Sequence, residues 1–362
     1  MRRRDFIRTA VVGAGTTWLG GKFATPLPQQ RKVGFALVGL GSLSTNQLAP
    51  ALLKTRYCRL AAVVTGTPSK AAAWKARYGL PDRSIYSYAT MRDMAGNPDI
   101  DVVYVVTPNA LHADHTIAAA RAGKHVLCQK PMEISTARCQ AMIDACRAAG
   151  RQLAIGYRCQ FEPHHLECIR LAREHVMGRV QRIEAGFGFR IGDPAQWLLR
   201  KARAGGGALM DVGIYALRAA RLLTGEEPTS VSATETRTDT GKFSEVEEAM
   251  RFELRFPGGV VAQCATTYAE NGLNQFRAFT DRGSFGMSPA FNYSGNRASR
   301  SDGVPLRFDE VDQFAAEMDD FAQRIMTGTR TRVPGEEGLR DVRIMLATYE
   351  SARTGRTVSL RN

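Results

Sequence analysis

Phe35-Ala36-Leu37-Val38-Gly39-Leu40-Gly41-Ser42-Leu43-Ser44 reads as a short apolar strand, a glycine turn and the opening of a helix whose apolar period runs to Leu53. The first glycine permits the tight turn, and the second lets backbone approach a pyrophosphate at the helix N-terminus. Ser44 stands where this pattern usually carries Gly or Ala, so the motif alone is weak. Its surroundings strengthen it. Further apolar strands are expected over 60–64, 102–106, 126–128 and 153–156, with helices over 111–122 and 135–149 ended by Gly123 and Gly150. Strands alternating with helices specify a parallel, doubly wound sheet of the Rossmann type, here over residues 27–155.

In such a sheet ligands bind in the crevice beyond the strand carboxyl ends. Gly39, Leu40, Gly41, Ser42 and Leu43 form one loop there. Thr65, Gly66, Thr67, Ser69 and Lys70 form the next, with no acid where an NAD-binding unit usually places one for the ribose hydroxyls. Hydroxyls and an ammonium suit a 2′-phosphate instead, so the expected cofactor is NADP(H). Thr107, Pro108, Asn109 and His112 make a third loop, able to reach a nicotinamide ribose. The fourth is Cys128-Gln129-Lys130-Pro131, where the proline confines Lys130 to extended backbone at the mouth of a buried strand. Most lysines in such places are ordinary loop residues; the company of three crevice loops favours a catalytic one.

After Gly156 the pattern changes. Phe252, Leu254 and Phe256 alternate with charged residues before Pro257-Gly258-Gly259, an antiparallel hairpin spanning 249–265. Segments 180–191, 231–238 and 275–280 read as further strands. Residues 156–362 are therefore expected to form an α+β domain, its large and mostly antiparallel sheet covered by helices on one face. The open face is the natural interface of a homodimer or higher homo-oligomer. Ahead of that sheet, Gly205-Gly206-Gly207 leads into a helix on which Asp211 and Tyr215 share a face.

The chain has 362 residues and a net charge of +14, with the basic side chains scattered rather than clustered among aromatics, which argues against a nucleic-acid partner. Arg2, Arg3 and Arg4, followed by Asp5-Phe6-Ile7 and a mildly apolar Gly-rich run, match a twin-arginine leader over residues 1–26. That run is too short for a membrane anchor. The seven cysteines show neither a C-x-x-C pair nor metal-ligand spacing, so buried free thiols and no metal are expected.

Together with Pro108–His112, Gly123-Lys124-His125-Val126, Lys130-Pro131, Ile155-Gly156-Tyr157-Arg158, Asp193-Pro194-Ala195-Gln196-Trp197 and Gly205–Tyr215, these motifs resemble the glucose–fructose oxidoreductase, inositol dehydrogenase and rhizopine-catabolism family, on the branch of the periplasmic glucose–fructose and aldose–aldose oxidoreductases. The one departure is Gln129, where the family carries Glu. The resemblance implies Lys130 as the catalytic-site lysine, Asp211 as its supporting acid and Tyr215 as acid/base. It also implies that Arg158, Trp197, Arg200 and Tyr293 contact cofactor or substrate, with Lys130, Arg158, Asp211 and Tyr215 around the sugar. A phenol titrates near 10, and a neighbouring ammonium favours its phenolate.

Export constrains the chemistry, because the periplasm offers no obvious NADP pool. The expected enzyme carries NADP(H) out already bound and recycles it, oxidising an aldose at C1 to a lactone and reducing a second aldose or ketose to an alditol. The alternatives are a sugar or inositol dehydrogenase with dissociable NAD(P), an NAD-dependent glycoside hydrolase of the same fold, and a non-catalytic sugar sensor.

Overall fold

Six strands build the first sheet: β1 (Val33–Val38), β2 (Cys58–Val64), β3 (Ile85–Tyr86), β4 (Val102–Val105), β5 (His125–Gln129) and β6 (Leu153–Gly156). They are parallel throughout, in the order β3-β2-β1-β4-β5-β6. Every residue of β1 and β4 is buried, as expected of strands covered on both faces. Four helices connect them: α1 (Ala49–Lys54), α2 (Pro68–Tyr78), α3 (His112–Arg121) and α4 (Thr136–Ala148). The strand order reverses between β1 and β4, so the crevice opens between the Gly39 turn and the Thr107 loop. The structure is a computed structural model describing residues 31–360, and the leader expected over 1–26 lies outside the described residues.

The second half contributes α5 (Pro163–Arg173), β7 (Val180–Gly188), α6 (Lys201–Ala204), α7 (Ile214–Thr224), β8 (Ser230–Thr236), β9 (Ala249–Arg255), β10 (Val261–Thr267), β11 (Asn274–Thr280), β12 (Gly283–Met287), β13 (Ala298–Arg300), α8 (Gln313–Thr327), α9 (Gly335–Thr354) and β14 (Val358–Ser359). Its eight strands run β13-β12-β11-β7-β10-β9-β8-β14. β7 and β10 pair in parallel, and every other pair is antiparallel. Helices α7 and α9 pack on one face, against β7 and β8 respectively. The other face is polar, with Glu253, Gln263, Glu184 and Arg277 in register across four strands.

The segment after residue 156 also touches the first sheet, because α8 and α9 return to it. Asp319 of α8 accepts the backbone N–H groups of Arg56 and Tyr57 at 2.9 and 2.8 Å. Just before α9, the Val333 carbonyl accepts the Ile155 N–H at 2.8 Å. A carboxylate with two amide donors is a strong anchor, so the C-terminal helices brace both sheets.

Tyr215 sits at the start of α7, and that helix is firmly held. Arg218 and Arg221, one and two turns further on, are buried against Asp341 of α9, at 3.2 and 2.5 Å. Tyr157, at the end of β6, donates its hydroxyl to the same carboxylate. Removing one partner from such a buried network costs several kcal/mol, roughly 3–5, so the network fixes geometry even where its net stabilisation is small.

Candidate active site

Lys130 follows β5 with its peptide bond to Pro131 in the cis form. Its ammonium reaches across to the second half, donating to the Asp211 backbone carbonyl at 2.6 Å and to Asp211 Oδ1 at 3.1 Å. Burial alone would push this ammonium down, but Tyr215 and Asp211 beside it outweigh burial and hold it above its ordinary value. Lys130 is therefore a cation at neutral pH. Its Nζ lies 4.9 Å from the centre of the Tyr215 ring.

The glycine-rich approach to Asp211 is not an ordinary helix start. Residues Leu209–Gly213 form a π-helical turn that hands over to α7. Glu247, fully buried, takes the N–H groups of Gly207 and Leu209, each at 2.9 Å, and the Tyr349 hydroxyl at 2.9 Å. A Cβ on Gly207 would meet the Glu247 carbonyl oxygen at 2.1 Å, and one on Gly206 the Tyr349 hydroxyl at 1.9 Å. Glycine is what lets this turn lie against β9 closely enough for the carboxylate to reach it. Tyr268 completes the support by donating its hydroxyl to Asp211 Oδ2 at 3.0 Å.

Arg158 supplies a second cation, with its guanidinium carbon 5.0 Å from the Tyr215 ring centre and 4.7 Å from that of Tyr293. It is buried, and donates to the Phe291 and Asn292 carbonyls at 2.6 and 3.0 Å and to Gln313 at 2.5 Å. Phe187 and Phe291 pack against Tyr215 at 5.4 and 5.5 Å. These groups wall one end of a cavity of about 650 Å³ that also runs past Gly41, Ser42, Leu43, Thr107 and Trp197. A Lys–Asp pair, a phenol and a second cation thus share one space with the mouth of the nucleotide fold. Such an arrangement can orient a polyhydroxylated molecule and move a proton at one of its oxygens.

The glycine turn fits a dinucleotide. Gly39 has φ +94°, and a Cβ there would meet the Val106 carbonyl oxygen at 2.8 Å, so the fold itself demands glycine. Gly41 is different: a Cβ there would meet nothing within 4 Å. Packing within the protein leaves that position open, as close approach of a phosphate requires. Ser44, the irregular member of the motif, is buried and closes the turn by donating its hydroxyl to the Gly39 carbonyl at 2.6 Å. At the tip of β2, Gly66, Thr67, Ser69 and Lys70 are exposed. No acid occurs in the first turn of α2.

Residues 33–157 match the oxidoreductase family with an NAD-binding Rossmann fold, and residues 165–286 match the GFO/IDH/MocA C-terminal domain. The chain belongs to the GFO/IDH/MocA oxidoreductase family. Among the family's solved structures, the aldose–aldose oxidoreductase from Caulobacter crescentus is 44% identical with a TM-score of 0.86, covering 91% of this chain and all of that one. Among characterised GFO/IDH/MocA members, the NADP-dependent D-xylose 1-dehydrogenase of Haloarcula marismortui is 32% identical over 91% of this chain and 93% of its own length. A second D-xylose 1-dehydrogenase, from Haloferax volcanii, is 32% identical over 90% of this chain and 99% of its own.

Of the residues singled out in the sequence, Gly41, Ser42, Leu43, Thr107, Asn109, His112, Gln129, Lys130, Arg158, Trp197, Asp211, Tyr215 and Tyr293 line this cavity of the family member. Arg200 does not line it; its guanidinium pairs with Glu245 at 3.3 Å. His112 lines the wall, but both ring nitrogens face backbone carbonyls, Nε2 that of Thr107 at 2.7 Å and Nδ1 that of Pro131 at 3.0 Å. It ties two crevice loops together, and burial holds it down to about 4, so it stays neutral. Phe187, Phe291 and Tyr268 escaped the sequence reading. Among the described residues no group of three or more His, Cys, Asp or Glu could hold a metal, and no helix is long and apolar enough to cross a membrane.

Gln129, in the family's Glu position, donates Nε2 to the Tyr104 hydroxyl at 2.8 Å, and its Oε1 accepts the Lys130 N–H at 3.1 Å. Tyr104 in turn donates its hydroxyl to Glu317 Oε2 at 3.0 Å. Glu317 is buried with its other oxygen unpartnered, and burial pushes it from 4.5 up to about 8. Between those two values the folded chain binds a proton that the unfolded chain has released, so stability falls as pH rises through that window. Glu317→Gln should therefore melt like the parent near pH 5 and about 4–8 °C higher near pH 9, measured by calorimetry.

Proposed function

We propose that this protein is an aldose oxidoreductase that keeps NADP(H) bound and recycles it, oxidising one sugar at C1 to the lactone and reducing a second aldose or ketose to the alditol. The observation that carries the reading is the joining of the Lys130–Asp211–Tyr215 cluster to the glycine turn within one cavity. Similarity to an aldose–aldose oxidoreductase and to NADP-dependent xylose dehydrogenases supports the sugar and the cofactor. Gly39, Leu40, Gly41, Ser42 and Leu43 would hold the pyrophosphate, and Thr65, Gly66, Thr67, Ser69 and Lys70 the 2′-phosphate. When bound, the nicotinamide accepts and returns a hydride.

The protein's own groups handle the proton. Tyr215 takes it from the sugar C1 hydroxyl during oxidation and returns one to the carbonyl oxygen during reduction. Lys130, a permanent cation clamped by Asp211, orients that oxygen and stabilises negative charge on it or on the phenol oxygen. Asp211 does no acid–base work; held by Lys130 and Tyr268, it sets the ammonium's position. Phe187 and Phe291 exclude water from one side of the phenol.

Denaturing the purified protein should release NADP or NADPH. The folded enzyme given an aldose alone should form lactone and alditol in equal amounts without added nucleotide, with parallel lines in two-substrate kinetics. Product forming only when free NADP is supplied stoichiometrically would leave an ordinary dehydrogenase in its place.

Two further readings belong to this proposal. The twin-arginine leader would deliver the folded, loaded enzyme to the periplasm, which fractionation of expressing cells checks. A homodimer or higher oligomer would form through the open face of the second sheet, where Arg182, Glu184 and Arg277 offer a charge pattern able to complement its own copy. Light scattering at micromolar concentration should give at least twice the chain mass.

A further inference from the structure

The residue after Arg158 is Cys159, in the short turn that leads into α5. All seven cysteines are unpaired, and six are buried; Cys159 alone is partly open. It lines a second, largely apolar cavity of about 30 Å³, whose wall includes His165 and which shares Lys130, Tyr215 and Phe291 with the larger cavity. That volume takes about two water-sized molecules, so it admits a small solute and excludes a sugar.

His165 is held as an activating base would be. Its Nδ1 lies 2.8 Å from Glu162 Oε2, and its backbone N–H donates to that same oxygen at 2.8 Å. Its ring lies 5.7 and 5.9 Å from those of Phe276 and Phe291. The remaining nitrogen, Nε2, is buried and has no normal hydrogen-bond partner among the described residues. Cys159 lines the same small cavity as His165 and is among the groups that act on its ring.

The charges agree with this arrangement. Burial alone would raise the thiol, but Arg158 and His165 together hold it below its ordinary value. Burial would lower His165, yet Cys159 and Glu162 raise it to about 9. Glu162, although burial opposes it, is held down to about 2 by His165 and His164. All three shifts run toward the charged forms: thiolate, imidazolium and carboxylate. By contrast, burial pushes the other six thiols up. No step of the sugar chemistry uses this cluster.

We infer that Cys159 is a hydroperoxide-reactive thiol set beside Tyr215, and that its oxidation stops turnover. The thiolate sulfur attacks one oxygen of hydrogen peroxide, forming S–O as O–O breaks. The leaving hydroxide takes the proton of the His165 imidazolium and departs as water. Sulfur is oxidised by two electrons to the sulfenic acid, and peroxide is reduced by two. The added oxygen enlarges the side chain within the small cavity whose wall Tyr215 and Phe291 share.

The test uses the full chain with its nucleotide bound. After brief exposure to hydrogen peroxide the protein is unfolded in dimedone, digested and mapped by mass spectrometry. Cys159 should carry adduct at least roughly 10-fold ahead of any other cysteine, and His165→Asn should slow its labelling. Cys159→Ser should fold, turn over like the parent and resist peroxide. Label spread evenly over the seven cysteines, or centred on another, overturns the inference. So does Cys159→Ser losing activity to peroxide as fast as the parent. The labelling arm is independent of the proposed reaction, so failure of that reaction is distinguishable from failure of the thiol.

Discussion

Tyr215→Phe should keep its NADP and lose roughly 10²–10⁴ in turnover, the range for a positioned acid/base. The substitution removes one oxygen and leaves the ring, so the contacts with Phe187 and Phe291 and the approach of both cations persist. Folding stability should therefore change little, and nucleotide released on denaturation should match the parent. Lys130→Ala should lose a comparable factor by a different route. It removes the charge that orients the reacting oxygen and leaves Asp211 held by Tyr268 alone. In the proposed mechanism the two groups act on one proton transfer, so the double mutant should be hardly slower than the worse single mutant. Single-turnover rates on the preloaded enzyme measure this. Fully additive losses would mean that Lys130 and Tyr215 serve separate steps.

How much of this was legible in sequence follows from what kind of contact each feature depends on. The first sheet depends on local signals, since β1 and β4 are continuous apolar runs punctuated by Gly39 and Pro108. Lys130 was visible because Pro131 marks the end of β5, and Asp211 because three glycines announce a close approach. The sequence predicts a plain helix at Asp211, where the structure has a π-helical turn with the Gly207 and Leu209 amides held by Glu247, 40 and 38 residues away. No local period encodes that. Tyr268 meets Asp211 across 57 residues, and Tyr104 meets Glu317 across 213. Trp197 lines the cavity, while the guanidinium of nearby Arg200 meets Glu245, 45 residues away. The return of α8 and α9 to the first sheet is likewise written in Asp319 and Val333, whose partners lie far back in the chain.

The two glycines of the nucleotide turn separate folding from binding more sharply than any other pair. At Gly39 a side chain would strike the Val106 carbonyl and adopt a backbone conformation that L-residues rarely take, so Gly39→Val should compromise folding itself. At Gly41 the same side chain would meet no protein atom, and φ is not positive there. Gly41→Val should accordingly leave the folding stability of the nucleotide-free protein within about 0.5 kcal/mol of the parent, as for an exposed substitution away from special features. What it fills is the space proposed for the pyrophosphate. Overpacking of roughly 1–3 kcal/mol at that contact corresponds to a roughly 5–150-fold weaker hold on NADP. Purified Gly41→Val should thus emerge depleted of nucleotide, and its turnover, unlike the parent's, should depend on added NADP. Titration of the stripped protein, followed by nicotinamide fluorescence, reads the affinity directly. A variant that folds and retains NADP as the parent does would show that the dinucleotide does not pass over Gly41. The turn after β1 would then be a structural corner, and the cofactor reading would have to rest on the β2 tip alone.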